Sequence, residues 1–168
     1  MINNLINYSI LFVILVILQV TIFNDIQLSG YINPYFYLLF IVLLPFDTPG
    51  WAMLLSSFLL GLSVDLFMFS YGMHTMACVL IAYLRPRILK GISPRDGYDS
   101  GSLPRIHYFG LRWFTLYAFI LVAIHHFLLF YLEMFRFADF FHTFLRALLS
   151  TIFTVIFIVI SQYFIYRK

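Results

Sequence analysis

The chain has 168 residues, 63% of them hydrophobic and 10% charged, with a mean hydropathy of +0.97 and a net charge of +3. Soluble domains carry roughly 25% charged residues, so this composition excludes a water-soluble globule and predicts a single-domain membrane protein. Lipid offers no hydrogen-bond partner to a backbone amide, and the apolar runs are continuous rather than alternating. An all-α bundle of transmembrane helices is therefore expected, not a β-barrel.

Crossing roughly 30 Å of hydrocarbon takes about 20 apolar helical residues. The first such stretch is 5–23; no Lys or Arg precedes it in MINNLINY and no small-x-small cleavage site follows, so it reads as a retained helix rather than a removable signal. Asn24, Asp25, Gly30, Asn33 and Pro34 then make a polar, turn-rich join. The second stretch, 35–46, is too short to span at ordinary tilt and predicts a short, re-entrant or broken helix. The third covers 51–69, the fourth 73–84 with an extension to 89, the fifth 111–132 and the sixth 141–166. Pro45, Pro49-Gly50 and Tyr71-Gly72 mark joins between them, and the single cysteine, Cys78, has no internal disulfide partner.

Arg85, Arg87, Lys90, Arg95, Arg105 and Arg112 fall in or beside one long connection, LRPRILKGISPRDGYDSGSLPRIHY, centred on residues 90–110, and Arg167 and Lys168 end the chain. With six spans this connection and both chain ends share a side, which the positive-inside rule makes the cytoplasm. The connection is rich in Pro, Gly and Ser and is expected to have little structure of its own. Its charge serves topology first; anionic lipid or a cytoplasmic protein are further acceptors for it. No aromatic-interleaved motif argues for nucleic acid.

The ionisable residues inside the spans cluster in the opposite leaflet: Asp65, His74, His125, His126, Glu133 and Arg146. A charge at the bilayer centre costs about 2.5 to 3.5 kcal/mol on insertion scales, less near the interface, and normally faces the bundle interior or a partner. Gly61 precedes Asp65 by one helical turn and shares its face, where it lets another backbone come close. Asp65 is thus expected to point inward, held by neighbouring helices; capping the fourth helix across the Tyr71-Gly72 turn, or reaching interfacial water, are the alternatives. His125, His126 and Glu133 are candidates for an outer pocket. Adjacent histidines on a helix diverge by about 100°, and no HxxxH or HExxH spacing occurs, so a metal site is not expected. There is no GxSxG, no Gly-rich phosphate loop and no close acid pair, which argues against an enzyme or a cofactor.

The stretch GLSVDLFMFSYGMHTMACVLIAYLRPRIL has a glycine four before an aspartate, an apolar hairpin, a Gly-x-His opening of the next helix and a basic end. It resembles the rod shape-determining protein MreD family, and INPYFYLLFIVLLP together with the small six-span size fits the same family. The resemblance implies a non-enzymatic, multi-pass subunit of the bacterial rod complex, or elongasome, in the inner (cytoplasmic) membrane with cytoplasmic N- and C-termini. MreC would be its direct partner, with RodA and its transpeptidase beside it. MreB filaments would be linked through it, indirectly, to peptidoglycan synthesis and cell shape. Membrane lipid surrounds such a subunit, nucleic acid is not a partner, and a homodimer stays open. On this reading Gly61, Asp65, Gly72, His74 and Arg146 organise a partner-binding groove, and Arg85, Arg87 and Lys90 add a contact in the cytoplasmic basic loop.

The family is distantly similar in fold to the substrate-binding S components of energy-coupling factor transporters, which makes vitamin binding the rival function. Those components typically present a small-x-x-x-small pair on the first helix. Here that helix reads LINYSILFVILVILQVTIF, with Ser9 as its only small residue. A proton relay or channel through Asp65, the histidines and Arg146 is disfavoured, because the other halves of the spans carry almost no charge to continue it.

Overall fold

The computed structural model describes residues 2–24, 32–95, 97–98, 102–134 and 140–165. Asp25, Gly30, Arg167 and Lys168 lie outside them. Helix α1 (Ile2–Leu18) runs on through a π-helical turn, Gln19–Phe23; a 3-10 turn, Phe36–Leu38, leads into the short α2 (Leu39–Leu43). Then come α3 (Gly50–Met68), α4 (Met73–Gly91), α5 (Ile106–Met134), which breaks at Gly110, and α6 (Phe140–Ile165). No β-strand occurs among the described residues.

Four helical stretches, Ile6–Phe23, Gly50–Met68, Ile106–Met134 and Phe140–Phe164, are long and apolar enough to cross a membrane. The protein is therefore an all-α membrane protein. α4 has the same 19-residue length as α3 and is its closest neighbour, but Arg85, Arg87 and Lys90 dilute its hydropathy. Ile6, Ile10, Val13, Ile14 and Ile17 stay about half exposed on α1, the pattern of a face turned to acyl chains rather than to the bundle.

At five residues, α2 rises only about 7 to 8 Å. Every residue from Tyr37 to Leu44 is 5% exposed or less, so this broken segment is the centre of the bundle. A helix ended inside an apolar core leaves N–H and C=O groups that no water can satisfy. The surrounding helices supply the partners. On its leading side, the N–H groups of Asn33 and Tyr35 donate to the hydroxyls of Ser150 and Thr154 on α6, each at 3.1 Å. Gln19 accepts from the Tyr37 N–H at 3.4 Å and donates to the Pro34 carbonyl at 3.2 Å.

On its trailing side the partner is Arg85. Its guanidinium donates to the Leu44 carbonyl, to the Pro45 carbonyl at 3.5 Å and to the Tyr117 hydroxyl at 2.6 Å, and that hydroxyl donates in turn to the Val42 carbonyl at 3.2 Å. The expectation that Arg85, Arg87 and Lys90 together offer a contact in the basic loop is corrected at Arg85: all three lie on α4, which runs to Gly91, two residues past the expected extension, and Arg85 is 2% exposed inside the bundle. The physical reason is the chain break after α2. Its carbonyls need several donors at once, a guanidinium carries five in a rigid fork, and a cation suits a helix C-terminus.

Tyr98, in the connection after α4, and Trp113, on α5, pack onto the end of the bundle. The Tyr98 ring stacks on Phe46 with centroids 4.4 Å apart while its hydroxyl donates to the Leu89 carbonyl at 2.7 Å; the Trp113 indole N–H donates to the Ile92 carbonyl at 3.0 Å. These contacts close the end of the bundle where Arg85 sits, hereafter the arginine end.

α3 and α4 touch most closely at Gly61. A Cβ there would stand 2.7 Å from the Thr75 nitrogen and 2.8 Å from the His74 oxygen, both backbone atoms that cannot move aside cheaply. Gly61→Ala is expected to destabilise the fold by about 2 kcal/mol, in the range of overpacked cores. Because Cys78 is the single cysteine and is fully buried, a thiol-reactive fluorogenic dye reports unfolding directly, and the variant should label at a lower temperature. In the same assay Arg85→Gln should cost about 3 kcal/mol, since it strands buried carbonyls. The exposed Arg112→Gln should stay within about 0.5 kcal/mol of the parent.

Candidate functional site

The opposite end of the bundle, the aspartate end, gathers the ionisable residues that the sequence placed in one leaflet. Asp65 sits in the last turn of α3 and is 6% exposed. Its Oδ1 accepts from the Ser70 hydroxyl at 2.6 Å and from the His74 N–H at 3.0 Å; its Oδ2 accepts from the Thr75 N–H at 2.8 Å and the Thr75 hydroxyl at 2.5 Å. The carboxylate thus caps the first turn of α4 from across the hairpin. The Met73 N–H finds the Ser70 carbonyl at 3.1 Å, so the opening N–H groups of α4 are all occupied. Gly72 is the N-cap residue itself, at φ 87, a left-handed conformation a glycine adopts without strain. Both the inward-pointing reading of Asp65 and the capping alternative describe the same arrangement.

With α4 fixed in this way, His74 projects into the core. Its Nδ1 lies 2.8 Å from the Tyr37 hydroxyl, which also lies 2.9 Å from His125 Nε2. One hydroxyl serves two imidazoles, so one ring nitrogen must donate and the other accept. His125 Nδ1 is buried without a partner among the described residues. An orphaned acceptor costs less than an orphaned N–H donor, which assigns the proton to His125 Nε2 and makes Tyr37 the donor to His74. His126 turns away from this group. Its Nδ1 donates to the Val122 carbonyl at 2.9 Å and its Nε2 accepts from the Thr154 hydroxyl at 3.2 Å, the same hydroxyl that receives the Tyr35 N–H.

Above this core lies a cavity of about 280 Å³, whose polar lining comes from Asn24, Asn33, Ser70, His74, Glu133 and Arg146. Arg146 pairs with Glu133 at 3.2 Å and lies over the Phe130 ring at 4.4 Å. With the Asn33 amide oriented to suit its neighbours, its oxygen accepts from Arg146 at 2.7 Å. Phe69 and Tyr71, 82% and 98% exposed with φ of 54° and 51°, stand at the hairpin tip on the cavity rim.

The expected outer pocket of His125, His126 and Glu133 is corrected in part. Glu133 lines the cavity, but the two histidines are fully buried and serve backbone and side-chain partners below it. Asp65 also stands behind the lining, reaching it through Ser70 and His74. Among the described residues no group of three or more His, Cys, Asp or Glu is placed to hold a metal ion. Cys78 lies 3.9 Å from His125 Nε2, but it is fully buried and does not line the cavity.

Sequence reasoning passed over Tyr37, Gln19, Thr75, Ser150 and Thr154, and took Asn33 only as part of a turn-rich join. Each is an ordinary residue in an apolar or turn-rich run, and only the spacing of polar positions along α6, with Ser150 and Thr154 one turn apart on the face of Arg146, could have hinted at them. Tyr37→Phe leaves His74 and His125 without their shared hydroxyl and should lower stability by about 1 to 3 kcal/mol. Tyr8→Phe, which gives up only a long 3.5 Å contact to the Leu43 carbonyl, should shift dye labelling of Cys78 much less.

No protein-family model matches the sequence, no curated protein matches it, and no solved structure matches the fold.

Proposed function

We propose that this chain is a non-enzymatic subunit of the bacterial rod complex, of the MreD kind, that binds MreC and helps couple MreB filaments to peptidoglycan synthesis. The observation that carries the reading is the Asp65 clamp: Gly61, Asp65, Gly72 and His74, which make up the resemblance, form one structural unit that locks the α3–α4 hairpin. The proposal includes six crossings of the inner membrane, with α4 and the broken segment around α2 as two of them. The arginine end, where Arg85, Arg87 and Lys90 lie, faces the cytoplasm.

A subunit of this kind works by shape. The clamp, the Tyr37 group and the Arg146–Glu133 pair hold the aspartate end in one geometry, and the exposed Phe69 and Tyr71 at the hairpin tip offer a partner large apolar area at the periplasmic interface. RodA and its transpeptidase would join through MreC or beside it.

One observation favours a second reading, a vitamin-binding S component: the cavity at the aspartate end is lined by polar groups and is large enough for a small ligand. Co-purification separates the two. Tagged chain co-expressed with MreC from the same organism should retain MreC, and Phe69→Ala with Tyr71→Ala should reduce retention at least tenfold with unchanged dye-reported unfolding; hot-spot aromatics carry such effects. No retention of MreC by the parent chain would overturn the proposal. Saturable binding of a vitamin to the purified chain, abolished by Arg146→Gln, would establish the rival.

A further inference from the structure

A second cavity, of about 440 Å³, lies at the arginine end between α3 and α4, far from the polar cluster. Met53, Leu54 and Pro86 form its walls, and among the described residues Arg87 and Lys90 are the charged groups that line it, with no acidic side chain beside them. Arg87 and Lys90 are three apart on α4 and therefore share a face. Both are exposed. Arg87 is held in place: its guanidinium lies 4.5 Å from the centre of the Tyr83 ring and donates to the Tyr83 hydroxyl at 3.1 Å.

The depth of this groove is marked by its neighbours. Trp51, 72% exposed at the start of α3, and Tyr83, 53% exposed on α4, are the aromatic side chains that collect at the headgroup level of a bilayer. A groove with apolar walls, two cations at its mouth that make no ion pair among the described residues and an aromatic collar opens where lipid phosphates lie. From this charge complementarity we propose that the groove binds one anionic phospholipid, its phosphate between Arg87 and Lys90 and an acyl chain against Met53, Leu54 and Pro86. The exposed first turn of α3 at Gly50, whose Pro49 cap offers no side-chain acceptor, adds N–H groups of favourable sign. This site does not depend on the proposed assembly role.

The test uses the full chain in nanodiscs of equimolar phosphatidylglycerol and phosphatidylcholine, extracted with mild detergent, with the lipid that stays bound quantified by mass spectrometry. Phosphatidylglycerol should be enriched over phosphatidylcholine. Each cation near an anionic surface is worth about fivefold in binding, so Arg87→Gln with Lys90→Gln should lower the enrichment about 25-fold. Leu54→Trp, which fills the groove and keeps both cations, should lower retention of phosphatidylglycerol several-fold, whereas Arg112→Gln should leave it intact. Dye labelling of Cys78 confirms that each variant is folded. Equal retention of the two lipids by the parent chain would overturn the proposal, as would wild-type enrichment in the double variant or an equal loss in Arg112→Gln.

Discussion

The carboxylate of Asp65 fixes the register on which the aspartate end depends. By accepting the His74 and Thr75 N–H groups it sets where α4 begins against α3, and Gly61 permits that approach because a side chain there would strike the α4 backbone. His74 then arrives within reach of Tyr37, and Tyr37 within reach of His125. In water such contacts would be worth little individually. Inside an apolar bundle each group that is left unpaired carries its full desolvation penalty, so the contacts become mutually required.

The same constraint governs α2. A helix that stops in the core needs donors at one end and acceptors at the other, and the fold assigns neutral hydroxyls and an amide to its start and a guanidinium with a phenol to its finish. The polarity of these partners follows the helix dipole: the cation stands at the carbonyl end. Arg85 is therefore a structural residue, and its neighbours Arg87 and Lys90, two and five residues on, are surface cations with a different physical task. Membership of one basic run in the sequence does not give three arginines and lysines one role.

Much of the architecture was legible from the sequence, and for a simple reason. Continuous apolar runs of span length, broken by Pro49-Gly50 and Tyr71-Gly72, report where helices lie because lipid forces the backbone to satisfy itself locally. The expected stretches at 51–69, 73–89 and 111–132 lie close to the observed α3, α4 and the part of α5 after Gly110. The brevity of the second element was readable too, since 35–46 lacks the residues to cross. Gly61 and Asp65 announced a close, inward-facing contact through their spacing. Tyr37, Thr154 and Gln19 announced nothing, because a buried hydrogen bond between distant segments leaves no periodic trace.

By itself, the sequence determined that the chain lives in a membrane, that it is helical, and that Asp65, His74, His125, His126, Glu133 and Arg146 share one end. Those properties follow from composition and local spacing. Only the tertiary structure decided which polar groups meet: that Asp65 caps α4, that the two adjacent histidines serve separate partners, and that Arg85 leaves the basic run to close the broken α2. Such choices depend on which backbone groups the packing of helices leaves unsatisfied, and that is a property of three-dimensional neighbours rather than of neighbours along the chain.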